Sequence, residues 1–187
     1  ISTLRSFHRF MLREEAVQAN VFAALQLAKH QRALPQVLTV DEVRRLLDAP
    51  AAFWGRQAEP GDFAEFAAAR DTAVLELIYS SGLRISEAAG MNLEDLDYLS
   101  STFVIRGKGH KERAGVLGKP ALTALRAYLE KRAARGLGGN RRDSRGPVFV
   151  NRDGGRLTAR SVQRSFKQYL AEAGLSPACT PHKLRHS

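Results

Sequence analysis

Apolar residues recur at Ile1, Leu4, Phe7 and Met11, while Arg5, Arg9 and Arg13 fall between them. That spacing gathers the apolar side chains on one face of an amphipathic helix and turns the arginines away from it. Asn20, a good N-cap, opens a second short helix through VFAALQL, and the charges and Pro35 of AKHQRALPQV break it off as a linker. In LTVDEVRRLLDAP, Thr39 starts a further helix. Glu42 stands where a capping box needs it, Val40, Val43, Leu46 and Leu47 form the apolar face, and Pro50 lies just beyond the end. The linker divides the chain into residues 1–35 and 36–187.

The stretch RDTAVLELIYSSGLRISEAAGMNLEDLD is dense in helix signal. Asp71 is expected to cap a helix whose Ala73, Val74, Leu75, Leu77 and Ile78 are apolar nearly all round, hence buried, and Gly82 supplies its stop. Arg84 then sits in a tight corner between helices. The pattern changes at TFVIRGKGHKERAGVL. Thr102–Ile105 are β-branched or aromatic, Gly107 and Gly109 bracket a turn, and Ala114–Leu117 return, so a hairpin forms with Lys108 at its tip and His110 shaping the turn. Helix resumes in PALTALRAYLEKRAA. A Gly- and Arg-rich loop leads to a short strand, PVFV, and two helical segments follow, LTARSVQRSFKQYLAEAG and TPHKLRHS. The fold class is mainly α with a small antiparallel sheet.

Composition narrows the partners. The chain has 187 residues, 44% of them apolar, enough to bury a sizeable core. Its 29 Lys and Arg against 19 Asp and Glu give a net charge of +10, which calls for a polyanion. Nucleic acid leads; no apolar run approaches the roughly 20 residues of a bilayer span, and no signal-peptide pattern opens the chain. No membrane partner and a cytoplasmic, nucleoid-associated location are therefore expected. The single Cys179 makes neither an internal disulfide nor a zinc site. The chain begins at Ile1 without a methionine and reads as interrupted at both ends.

The chemistry is concentrated at TPHKLRHS. Thr180 caps and Pro181 takes the first helical position, placing His182 and Arg185 one turn apart on one face. Cations at a helix start are mildly destabilising, so an anion is expected to compensate them, although a solvated basic turn has the same composition. A metal site on His182 and His186 is disfavoured. Lys183 stands where a zinc-protease motif needs glutamate, and no nearby carboxylate or cysteine completes a ligand set.

SGLRISE, VIRGKGHKER and TPHKLRH, in that order and at compatible spacing, resemble the tyrosine recombinases, or phage integrase family, and most of all the Xer-type members. The likeness runs from about residue 36 to the end; the opening helix, with its LRSF, is similar to the last part of that family's helical core-binding domain. The resemblance implies DNA strand exchange with neither metal nor nucleotide cofactor. A tyrosine hydroxyl attacks the scissile phosphate, forms a 3′-phosphotyrosyl link and expels a 5′-hydroxyl. Arg84 and Arg185 would clamp the non-bridging oxygens with paired N–H donors, better than lysine could. Lys108 would protonate the leaving oxygen, and His182 would bond the phosphate or accept the tyrosine proton. Glu87 matches an acidic residue that orients the site; a helix-surface carboxylate is its other reading.

The same family pattern continues after LRHS with a further His or Trp and then the nucleophilic tyrosine. Tyr79, Tyr98, Tyr128 and Tyr169 all precede that point and read as structural, so the 187 residues are expected to bind DNA without cleaving it. Arg160, Gln163, Arg164 and Lys167 occupy the face opposite Val162, Phe166, Tyr169, Leu170 and Ala173, a pattern suited to a DNA groove; Lys111 and Arg156 are further candidates. AAFWGRQAEPGDFAEFAA is longer than the family's usual connection, and Trp54 and Phe63 in it would pad the core or meet a partner. The expected partner is double-stranded DNA, held by a homo- or hetero-tetramer on two synapsed sites. A noncatalytic DNA-binding module derived from an integrase is the alternative, and a type IB topoisomerase a more distant one.

Overall fold

The computed structural model describes residues 2–22, 37–57, 62–106, 112–137 and 145–187. Helices dominate, with one three-stranded antiparallel sheet, which is the expected class. The chain divides into two compact units, Ile1–Leu34 and Pro35–Ser187.

In the first unit, α1 (Ser2–Arg13) carries the predicted amphipathic pattern. Arg5 Nε donates to the Phe22 carbonyl at 2.9 Å, and the His8 ring meets Phe22 edge-on at 4.7 Å between centroids. Asn20 does not cap a described helix. Its Oδ1 accepts from the Phe22 N–H at 3.1 Å and so closes a local turn. The rest of the expected second helix and the linker with Pro35 lie outside the described residues.

The second unit opens with α2 (Val40–Gly55), capped by Thr39 and Glu42 as a full capping box. Pro50 lies inside this helix rather than beyond it. A proline removes one helical hydrogen bond, but Leu46, Ala49 and Pro50 are buried, and the next turn carries Phe53 and Trp54 into a run of edge-on aromatic contacts with Phe63 and Tyr169. A fully buried Leu or Phe contributes about 1.5–3 kcal/mol, so packing of this turn outweighs the lost bond. Next, α3 (Asp62–Ser81) begins nine residues before Asp71, which is therefore not a cap. It is buried in mid-helix. Phe66 and Ala67, both fully buried, extend the apolar pattern toward the N-terminus and carry the helix with them. Gly82, at φ +59°, ends it as expected.

After α4 (Ile85–Gly90) and a single 3-10 turn, β1 (Leu96–Asp97), β2 (Thr102–Arg106) and β3 (Glu112–Val116) pair in that order. Phe103 faces Gly115 and Ile105 faces Arg113 across the β2–β3 ladder, with Phe103 and Ile105 buried. The strand expected at PVFV is instead a bent, largely buried segment, joined to the rest by the isolated bridges Asn92–Pro147 and Val150–Arg156. Side chains of α5 (Lys119–Ala134) satisfy its backbone. Tyr128 Oη donates to the Val148 carbonyl and accepts from the Val150 N–H, both at 3.1 Å, and Arg132 Nη1 donates to the carbonyls of Pro147 and Val148 at 2.7 and 2.9 Å. α6 (Ala159–Glu172) and α7 (Pro181–His186) complete the unit. Among the described residues, no helix is long and apolar enough to cross a membrane.

Candidate active site

Three chain segments, one of them remote in sequence from the other two, meet around one cavity of about 680 Å³. The first is the corner between α3 and α4. Gly82 and the extended backbone of Arg84 (φ −75°, ψ 151°) turn the chain so that Arg84 takes the N-cap position of α4. The second is α6, fixed by buried Val162, Phe166, Tyr169 and Leu170, whose Gln163 and Lys167 reach the cavity from the opposite side. The third is α7. Thr180 accepts from the Lys183 N–H, as the sequence predicted, and fully buried Leu184 anchors the short helix so that His182 and Arg185 face the cavity. Arg185 crosses the corner closely; its Cγ lies 3.8 Å from where a Cβ on Gly82 would sit.

The lining is asymmetric. Leu83, Ile85, Phe166, Pro177 and Pro181 form apolar walls, Arg84, Lys167 and Arg185 supply permanent positive charge, and no carboxylate lines the cavity among the described residues. Beside such walls a cation is poorly hydrated, and its attraction for an anion is stronger than in bulk water. Neither Lys167 nor Arg185 bonds another described side chain. His182 does: its Nε2 is 3.1 Å from Nε2 of His186, the rings lying edge to face.

Glu87 stands behind Arg84. Its Oε1 accepts from Arg84 Nη1 at 2.8 Å, and its Oε2 accepts from the Arg84 backbone N–H at 2.8 Å and from Arg113 Nη2 at 3.0 Å. Burial acts to raise its pKa, but the bonds from the Arg84 backbone and side chain and the charges of Arg113 and Arg84 prevail, holding the carboxyl below its ordinary range. Cys179, also in the cavity wall, has its thiol pushed up by burial.

The expected DNA-contacting row is displayed as drawn from the pattern: Arg160, Gln163, Arg164 and Lys167 are exposed along one side of α6 and bond no described partner. Arg156 is differently placed. Its guanidinium donates to the carbonyls of Ala89 and Met91 at 3.1 and 3.2 Å and to Asn92 Oδ1, fastening the α4 end to the loop before α6. Lys108, Lys111 and His110 lie outside the described residues.

None of the tyrosines lines the cavity. Tyr169 donates to Asp71, accepts from Trp54 Nε1 at 3.0 Å and has its pKa driven up, chiefly by burial and next by Asp71. Asp71 is in turn gripped by Arg70, Nε to Oδ1 at 2.7 Å and Nη2 to Oδ2 at 3.1 Å. Tyr128 is buried in its backbone clamp, and Tyr79 and Tyr98 are partly buried. Sequence reasoning missed Arg113, whose signal was an arginine on an edge strand 26 residues from its partner, and the buried arginines Arg70 and Arg132. Among the described residues no group of His, Cys, Asp and Glu is fit to hold a metal ion.

An arginine at a helix corner, joined across one cavity by a histidine and an arginine spaced a turn apart, is set in a mainly helical unit with a small sheet. The model of the phage integrase family matches residues 36–187, and the chain belongs to that family. It is 38% identical over its whole length to the tyrosine recombinase XerC of Syntrophus aciditrophicus and 40% identical to the tyrosine recombinase XerD of Bifidobacterium longum, spanning 57% and 59% of those proteins. The chain thus covers a little over half of the curated relatives it matches. Its fold is that of a lambda integrase solved as a tetramer bound to a Holliday junction, with a TM-score of 0.67 at 21% identity over 99% of this chain and 50% of that one.

Proposed function

We propose that the chain is the greater part of a site-specific tyrosine recombinase that breaks and rejoins duplex DNA through a 3′-phosphotyrosyl intermediate. The observation that carries this reading is the shared cavity of Arg84 with His182 and Arg185, a pair about a hundred residues further along the sequence. A phosphodiester in transfer gathers negative charge on its non-bridging oxygens, and two guanidinium forks across a partly apolar cavity are suited to bind it. In this scheme the tyrosine oxygen bonds to phosphorus, the bond to the 5′ oxygen breaks, Lys108 gives that oxygen a proton, and His182 holds the phosphate or takes the tyrosine proton. Glu87 orients Arg84. Arg160, Gln163, Arg164 and Lys167 track the DNA, with Lys111 beside them, while the bonds of Arg156 favour a supporting role within the protein.

The unit 35–187 is assigned to catalysis and the first unit to the end of a core-binding domain. A tetramer on two synapsed DNA sites is the proposed assembly, in line with the lambda integrase tetramer on its junction. The nucleoid is the proposed location. Because none of Tyr79, Tyr98, Tyr128 and Tyr169 lines the cavity, these 187 residues are expected to bind DNA without cutting it. The test is covalent trapping on a nicked duplex carrying the target site, using protein that continues with whatever its reading frame encodes after Ser187. A protein–DNA adduct that disappears with Arg84→Ala supports the recombinase. Band retardation without an adduct supports the noncatalytic DNA-binding module.

A further inference from the structure

Glu87 divides one carboxylate between arginines from two elements: Arg84 at the start of α4 and Arg113 on β3. Its side chain is 9% exposed, against 64% for Arg84 and 48% for Arg113. A carboxylate paired with one arginine is a neutral unit, and Arg84 alone with Glu87 would offer an incoming anion little net charge. The second arginine changes this. With Arg113 on Oε2, the three side chains sum to +1, so Glu87 does not cancel the charge of Arg84 outright.

Geometry adds to charge. An ionised carboxylate has about four acceptor sites, and the Arg84 N–H, Arg84 Nη1 and Arg113 Nη2 fill three of them. Glu87 therefore cannot swing to take both terminal nitrogens of Arg84 in a fork-to-fork pair. One nitrogen of Arg84 is held, and its remaining donors are left for a ligand. Arg113 does not itself line the cavity.

We propose that Arg113 is a positioning residue of this site: by sharing Glu87, it keeps Arg84 both aimed and positively charged toward the cavity. The proposal rests on the reading that Arg84 clamps the scissile phosphate. Arg113 works through Glu87 and not by touching DNA. Lysine would replace it only in part, since an ammonium keeps the charge but lacks the planar fork.

Single-turnover adduct formation on the nicked duplex, with the protein continued past Ser187, tests it. Arg113→Gln is expected to slow the adduct roughly 10- to 100-fold, the scale on which removing a group that orients a ligand-binding side chain acts, with duplex Kd changed less than about threefold. Arg113→Lys is expected to fall between the two. Because the effect passes through Glu87, adding Arg113→Gln to Glu87→Gln is expected to slow the reaction no further. A parent-like rate for Arg113→Gln or Arg113→Lys, a Kd that rises as far as the rate falls, or multiplying effects in the double variant would each overturn the proposal. If Arg113→Gln does not fold, Arg113→Lys is read alone on the same criteria. Arg84→Ala, run in parallel, keeps the two readings apart. Adduct formation surviving Arg84→Ala removes the underlying reading; its loss there beside a parent-like Arg113→Gln removes only the role of Arg113.

Discussion

Tyr169 and Asp71, 98 residues apart, are joined by a hydrogen bond from the phenol to the carboxylate at the centre of the second unit. Trp54 donates to the same phenol from α2, and Arg70 grips the same carboxylate from α3, so one polar cluster locks three helices together. Tyr169→Phe leaves Asp71 and Trp54 each short of a partner. A loss of about 1–3 kcal/mol follows, and Asp71→Ala, which strands the buried Arg70, costs more, about 3–5 kcal/mol. Urea denaturation of the two variants measures both, with DNA affinity under native conditions unchanged for Tyr169→Phe.

Gly115 faces Phe103 across the ladder, and a Cβ at this position would lie 2.3 Å from the ring's Cζ. Gly115→Ala therefore forces the ring or the strand to move. Overpacking of this kind costs about 1–3 kcal/mol, to be read as a fall in thermal midpoint. Phe103→Leu in the Gly115→Ala background is expected to recover part of it.

Glu76 carries a pH signature outside the candidate site that a single substitution can isolate. Burial, and then the charge of Asp48, push its carboxyl above the ordinary value. Between the unfolded and folded pKa the native state holds a proton that the unfolded chain has released, so this group's contribution to stability falls as pH rises through that window. Glu76→Gln is expected to be more stable than the parent at neutral pH, and the gap is expected to close on acidification into the ordinary carboxylate range. Equal gaps at both pH values would sink the assignment.

The Nε2 atoms of His182 and His186, 3.1 Å apart, bond only if one carries hydrogen and the other does not. Nitrogen-15 spectra of the imidazoles at neutral pH are expected to show one ring bare at Nε2. His186→Phe frees His182 from the pair and shifts its nitrogen signals.

On α6, removing Arg164 or Lys167 is expected to weaken binding to any duplex and to lower the slope of log K against log salt by about 1 for each phosphate no longer neutralised. Arg156→Gln is expected to lower thermal stability and leave that slope unchanged, because its guanidinium is bonded to Ala89, Met91 and Asn92.

What the sequence disclosed was local chemistry. Thr39 with Glu42, Gly82 after α3, and Thr180 with Pro181 are read within a few residues of themselves, and each stands where expected. The pairing of Arg84 with His182 and Arg185 was legible through a motif resemblance, since nothing in the intervening chain gives their distance. Misreadings fell where distant contacts decide. Asp71 looked like a cap because its partners, Trp54 and Tyr169, are remote. PVFV has strand composition, yet Tyr128 and Arg132 take the backbone groups that a neighbouring strand would have used. Pro50 looked like a stop because local propensity carries no information about the aromatic residues packed around the turn after it. Arg113 was passed over for the same reason: its meaning lies with Glu87 on another element.

The ring of Phe103 rests on a stretch of β3 that has no side chain to obstruct it. Sliding β3 by two residues in either direction would put the Cβ of Arg113 or Leu117 beneath the ring, where only bare backbone fits, so the two strands admit a single alignment. The height at which Arg113 arrives beside Glu87 is thus inherited from an aromatic ring on the neighbouring strand, seated over Gly115 two positions along from Arg113, and a benign-looking methyl group at Gly115 would mistune a charge elsewhere in the molecule.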